Sequence, residues 1–523
     1  MRLFKSIATV GGATIASRIL GFAREILIAS LIGAGPVADA FYAAFRFPNF
    51  FRRLFAEGAF NTAFIPLFAK ELEGGGREAA QEFARQVFSV LFIVLLVLTA
   101  LAEISMPWLV ETVIAPRFGQ GSDKTLLTID LARIMFPYLF CMSLVAMLSG
   151  VLNSFRHYFA AAFVPVLLNI IMIAVLLACT VLETGNNPIT GRLMAWGVFA
   201  SGFAQLALVW VAVRKTGFRL KLATPKMTPA VKRVLILAVP TAIAGGITQI
   251  NLLVGQIIAS AQDGAIALLQ YADRIYQLPL GVIGIAIGVV LLPELSRDLK
   301  AGVQDKAIQT QNQSLEFAMF LTLPSAAALV IMPHLITTVL YERGAFDALA
   351  TSGTAVALSA FAFGLPAFVL IKVFSPAFFA REDTRTPMYY AGINALLNVI
   401  LSIALFPSLA HVGIAIATSI SAWVNVVLLF VHLQIKGHWP LDGATLRRLL
   451  MMVAASIGMG AALYWLQNIL EQGGFLETAV TKALALLGVV LVGMMIYFAL
   501  CRLTGAVNFR QILANFRRTP KKQ

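Results

Sequence analysis

Between Ala16 and Pro66 five arginines, Arg18, Arg24, Arg46, Arg52 and Arg53, and three carboxylates, Glu25, Asp39 and Glu57, interrupt sequence otherwise apolar enough for two membrane-spanning helices. A charge at mid-bilayer costs about 2.5–3.5 kcal/mol even on a lenient insertion scale, so five arginines facing lipid would cost on the order of 12 kcal/mol or more. These side chains must therefore face water, protein or a ligand. A guanidinium presents a planar fork that grips phosphate oxygens in pairs, which an ammonium cannot do. Several such forks in a cavity inside a bilayer make an anion site.

Spacing says how the elements hold them. Asp39, Tyr42, Arg46, Asn49, Arg53 and Glu57 follow one another at steps of three or four, which predicts one polar side of a helix lining a cavity, with apolar residues opposite. Arg18 and Glu25 share a face of the preceding helix, whereas Arg24 lies roughly 120° round from Arg18 at about 100° per residue, unless the helix distorts near Gly21. Pro48 is expected to bend the second helix near its arginines. Farther along, Gln270, Asp273, Arg274 and Gln277 form a second polar patch, followed by Gly281, Gly284 and Gly288, which permit close helix packing, and Lys372 stands four residues before Pro376.

The rest of the chain is membrane protein. It is 59% hydrophobic and 12% charged, and a soluble globular chain has about twice that charged fraction. Runs long enough to cross about 30 Å of hydrocarbon recur roughly fourteen times. They include 7–32, 37–68, 84–112, 127–152, 265–294, 386–407 and 411–435, and the reading is an all-α polytopic membrane protein. Three cysteines in or beside apolar segments and five scattered histidines give neither a disulfide framework nor a metal site. No constellation of catalytic groups is visible, so the chain reads as a transporter rather than an enzyme, with no catalytic residue and no cofactor beyond a coupling ion or the membrane potential.

A net charge of +15 would suggest nucleic acid in a soluble protein, but here its distribution explains it. Threading the spans from a cytoplasmic N-terminus puts 27 of the 40 Lys and Arg on that side and 5 on the other. Both termini are then expected in the cytoplasm, and nucleic acid is not a partner. Eight cations remain within the membrane: Arg18, Arg24, Arg46, Arg52, Arg53, Arg133, Arg274 and Lys372.

The chain also repeats. Ile65–Leu72 aligns with Leu292–Leu299, and Pro137, Arg156 and Leu167-Leu168-Asn169 with Pro366, Arg385 and Leu396-Leu397-Asn398, at offsets of 227 and 229. Two parallel six-helix repeats, related by an axis along the membrane normal and flanking a central cavity, are predicted from this. The expected organisation is an N-terminal lobe over 1–215, a basic cytoplasmic linker over 216–233, a C-terminal lobe over 234–436, an additional helix pair over 437–505 and a basic tail over 506–523. Membrane lipids are a partner throughout; polybasic runs beside a membrane attract anionic ones, but the reading favoured for this linker is that it only fixes topology.

SRILGFARE (17–25), ADAFYAAFRFPNFFRRLFAEGAFNTAFIP (38–66), YADRIYQLPLGVIGIAIGVVLLP (271–293) and KVFSPAFFAREDTRTP (372–387) resemble the MurJ/MviN lipid II flippases of the multidrug/oligosaccharidyl-lipid/polysaccharide exporter superfamily. The resemblance covers essentially the whole chain. It implies fourteen helices, with two six-helix lobes around a cavity and a C-terminal pair forming a groove for a polyprenyl tail. It further implies a bacterial inner-membrane location and movement of undecaprenyl-pyrophosphate-linked disaccharide-pentapeptide, lipid II, between leaflets by alternating access, beside the cell-wall synthesis machinery. Arg18, Arg24, Arg52 and Arg274 stand at the motif positions of the substrate-binding arginines, with Asp39, Arg46, Arg53, Glu57, Asp273 and Lys372 as supporting cavity residues. Glu25 stands where an aspartate is common, and the seventh span carries no acidic sodium site. The rival readings are a flippase for another polyprenyl-linked oligosaccharide and a cation or drug antiporter of the same superfamily. Cationic substrates call for acidic or aromatic cavities, against the arginines found here.

Overall fold

A computed structural model describes residues 2–53, 60–218, 220–473 and 478–506. Among these the regular structure is helical. The helices are α1 (Arg2–Ile32), α2 (Pro36–Phe51), α3 (Phe60–Gly74), α4 (Gly76–Leu109, continued by a π-helical turn over Val110–Ile114), α5 (Asp123–Met135), α6 (Pro137–Ser154), α7 (Phe159–Val181), α8 (Pro188–Lys215) and α9 (Pro229–Ala259). They continue as α10 (Ala265–Lys300), α11 (Gln304–Ile331), α12 (Pro333–Tyr341), α13 (Ala348–Phe379), α14 (Arg385–Ile435), α15 (Gly443–Gln472) and α16 (Ala479–Leu503). Nine spans among the described residues are long and apolar enough to cross a membrane, α5 and α6 together forming one of them. The two spans expected over 386–407 and 411–435 are one helical run in α14, broken at Ala410, whose φ of 51° no α-helix accommodates.

The chain divides into two compact units, Met1–Ala267 with Arg343–Ala350, and Leu268–Glu342 with Thr351–Gln523. In the first, α1 packs along α7, α6 and α7 pack on α8, and α2 packs on α5. Helix α9 joins this unit through α3 and α4. In the second, α15 packs on α11 and pairs with α16, and α10 meets α13 where Tyr276 lies against Phe361 and Phe368, ring centres 5.0 and 5.5 Å apart. Rigid helices of this kind can hold charged side chains in fixed positions at membrane depth, because their backbone polar groups are satisfied internally.

Candidate anion-binding site

Helix α1 runs unbroken through Gly21, so no distortion brings Arg24 round to the face of Arg18. Gly21 serves packing instead. A Cβ there would lie 3.5 Å from the Asn169 side-chain amide of α7. Three residues on, Arg24 donates to the same side chain, with 2.9 Å from Nη1 to Asn169 Oδ1, and pairs with Glu25 at 3.3 Å. Asn169 Nδ2 in turn donates to the Ser17 carbonyl at 2.9 Å, and Tyr42 of α2 donates its hydroxyl to Glu25 Oε1 at 3.0 Å. Arg24 is 8% exposed and Glu25 0%. A buried pair is tolerated only with such extra hydrogen bonds, since desolvation of each ion costs several kcal/mol. Arg24 Nε is buried and has no partner among the described residues.

The polar side of α2 divides along its length. Its first turns are packed, with Asp39 0% exposed and Tyr42 on Glu25. Asp39 pairs with Lys124 of α5 at 2.7 Å and accepts the backbone N–H groups of Gly264 and Ala267 at 2.7 and 3.0 Å. A carboxylate at the first turn of α10 is favoured there by the helix dipole. Lys124 also reaches Asp263 at 2.8 Å and lies 4.1 Å from the Phe118 ring. The later turns of α2 are less buried. Arg46 and Arg52 are half-buried and Arg53 is exposed, as is Arg18 on α1. Arg52 Nε donates to Asn49 Oδ1, 3.0 Å away and one turn back. On the opposite side Phe47 and Phe51 pack on Phe136, at 5.6 and 6.3 Å between centres, which fixes which way the arginine side looks. Glu57 lies outside the described residues. Arg133 donates to the Glu103 carbonyl at 3.3 Å, across α5 and α4.

The same end of this unit carries a backbone junction. Ala345 N donates to the Ser30 carbonyl at 2.8 Å. Gly344, with φ +59°, sits so close that an added Cβ would be 2.2 Å from the Ser30 oxygen. Gly344→Ala is therefore expected to force the Ser30–Ala345 contact apart. A cysteine pair at 30 and 345 should cross-link at a fraction of the rate seen with glycine at 344, and an unchanged rate would contradict this packing.

In the second unit Asp273 accepts a hydrogen bond from Gln277, and both it and Arg274 are half-buried. Lys372 is exposed and lies on α10 over Gly284, where a Cβ would be 2.7 Å from Nζ and 2.9 Å from Cδ. Gly284→Ala must move the lysine. The expected loss of activity equals that of Lys372→Ala, and the double variant should lose no more than either single one, whereas additive losses would show that Gly284 acts by helix packing alone.

Lys124 and Asn169 support the site, and sequence alone marks neither for it: Lys124 is one of the five cations threaded to the non-cytoplasmic side, and Asn169 enters only as a repeat marker. Their partners Asp39 and Arg24 are 85 and 145 residues away, and no local spacing signals that.

Membrane-length helices that enclose buried charge pairs mark a multi-pass membrane transporter. The lipid II flippase MurJ family model matches residues 28–484. The chain is 52% identical to a probable lipid II flippase MurJ of Rhizobium meliloti (strain 1021), over 99% of this chain and 97% of the relative. It is 33% identical to the lipid II flippase MurJ of Burkholderia cenocepacia, over 89% and 90%. A solved structure of lipid II flippase MurJ in an inward closed conformation superposes with TM-score 0.78 at 27% identity, covering 96% of this chain and 99% of that one. An inward-facing MATE family multidrug resistance transporter matches at TM-score 0.66 and 15% identity, over 81% and 95%, and shares the fold. This chain belongs to the MurJ lipid II flippase family.

Proposed function

We infer that this protein moves lipid II from the inner to the outer leaflet of the bacterial cytoplasmic membrane. The observation that carries the reading is the family match along nearly the whole chain, with a flippase relative at 52% identity end to end. The site supplies the chemistry. Lipid II carries a pyrophosphate between its sugars and its undecaprenyl chain, and Arg18, Arg24, Arg52 and Arg274 engage its oxygens, Arg24 through the buried Nε–H that Asn169 and Glu25 leave over. Arg46, Arg53, Glu57, Asp273 and Lys372 shape the field around them, and Asp39 acts at a distance by holding the outer junction. Transport proceeds by alternating access, breaks no bond in the substrate, and draws on a coupling ion or the membrane potential. With both termini in the cytoplasm, the Ser30–Ala345 junction is periplasmic and parts when the cavity opens outward. The pair α15 and α16, whose exposed face includes Ile457, Trp465, Leu484 and Leu487, receives the polyprenyl tail.

Depletion of the protein in its native host, with lipid II on each leaflet read by cleavage with an externally added toxin, tests this. Loss of the externally cleavable pool with accumulation inside is the expected result. An unaltered distribution accompanied by a changed drug profile would move the assignment to an antiporter.

A further inference from the structure

Thr216, Phe218, Leu220, Ala223 and Thr228, in the connection from α8 to α9, are strapped to the first unit rather than looped free. Arg77 of α4 donates to the Thr216 carbonyl, the Ala223 amide donates to Ser89 Oγ at 2.9 Å, and the Thr228 hydroxyl donates to Gln86 Oε1 at 2.8 Å. Phe218 is fully buried, its ring 5.8 Å from Phe68 and 5.6 Å from Phe155. Strapping lays Leu220 and Leu222 over Phe88 and Phe92 of α4, Phe140 of α6 and Trp210 of α8, and these line an almost wholly apolar groove of about 420 Å³. Trp210 is five residues, about 7.5 Å along the axis, from the end of α8, and tryptophan is enriched where helices meet the membrane interface.

Cationic residues adjoin the groove's lining residues in sequence. Arg214 lies 5.6 Å from the Trp210 ring centre, and Arg214, Lys215 and Lys221 are exposed. None of the three is in an ion pair among the described residues. The sequence from Thr184 to Gln262 contains no acidic residue, and Glu82 on the adjacent α4 is taken by Arg85 at 2.8 Å. An apolar slot with positive charge beside it matches one kind of molecule. A soluble anion would use the cations and leave the aromatic slot empty, and a zwitterionic lipid would fill the slot without preferring it.

We propose that this groove is a binding site for one anionic phospholipid, its acyl chain between Phe92 and Trp210 and its phosphate on Arg214, Lys215 and Lys221.

The test uses the full chain with Trp210 as its one tryptophan, in phosphatidylcholine vesicles containing a small fraction of phosphatidylglycerol brominated on its acyl chain. Quenching of Trp210 should saturate at low mole fraction, and brominated phosphatidylcholine at the same fraction should quench far less. Each of Arg214→Gln, Lys215→Gln and Lys221→Gln should weaken the phosphatidylglycerol effect by about fivefold, since a cation near an anionic headgroup contributes about that factor. Ala207→Phe, which fills the groove and keeps every charge, should remove the saturable component. Equal quenching by the two lipids, or quenching that rises in proportion to mole fraction without saturating, overturns the site in favour of bulk lipid. Should the single-tryptophan protein not fold, native mass spectrometry of the unaltered chain decides. One retained phosphatidylglycerol, lost in the triple Gln variant, supports the proposal, and equal retention by both proteins refutes it.

Discussion

Alanine at Arg18, Arg52 or Arg274 is expected to abolish lipid II transport while the protein still reaches the membrane in normal amount. An arginine inside a membrane that served only to hold the fold could give way to an apolar residue at little or no loss, because burying the charge is itself costly. A phosphate ligand could not. Two charge-assisted hydrogen bonds of about 1.5–3 kcal/mol each make up a bidentate contact, so pyrophosphate affinity should fall by about two orders of magnitude or more. Lysine keeps the charge and loses the fork, and should rescue partly at best. Arg24→Ala should fail differently. It strands Glu25, which is 0% exposed, and removing one partner of a buried pair costs about 3–5 kcal/mol. Thermal unfolding in detergent should therefore drop for Arg24→Ala and not for Arg18→Ala, whose side chain is exposed. Replacing Glu25 by Ala as well should recover folding without recovering transport if Arg24 also binds substrate. Full transport by all four alanine variants would remove the anion site from the account.

A disulfide across the Ser30–Ala345 junction should stop growth of cells that depend on this protein. The 2.8 Å backbone hydrogen bond between the two residues holds their Cα atoms within the range a disulfide spans, about 4.4–6.8 Å. Cys141, Cys179 and Cys501 are buried thiols and must be replaced first. Cells carrying Ser30→Cys with Ala345→Cys should then cease to grow under mild oxidant and resume on reduction, while either single variant grows throughout. Around this contact Asp39 gathers Lys124 and the first turn of α10, so Asp39→Ala should lower cross-linking of the pair by loosening the junction.

Much of this was legible in the sequence, for identifiable reasons. The arginines stood out because apolar surroundings make their charge expensive, and the break within α14 at Ala410 falls in the gap left between two hydrophobic runs. Periodicity put Asp39, Tyr42, Arg46 and Arg53 on one side of α2, but it could not tell which neighbours cover that side. Covering is a tertiary matter: Lys124 and Glu25 take the first turns, from α5 and α1, and the later turns are less buried. The basic stretch after α8 read as a topology signal alone. Its hold on α4 uses single hydrogen bonds to Ser89 and Gln86 and from Arg77, residues that no spacing rule marks.

Purified protein with the cysteine pair, in liposomes loaded with lipid II, gives the most direct test of transport through this interior. The quantity to measure is the fraction of lipid II cleaved by a membrane-impermeant hydrolase added outside, beyond the pool already exposed at the start. Alternating access predicts that this fraction stays at its starting value in the oxidised protein and climbs on addition of reductant. If cleavage in the oxidised, fully cross-linked protein proceeds as fast as in the reduced one, lipid II crosses without opening the Ser30–Ala345 junction, and the path lies along the outside of the helices.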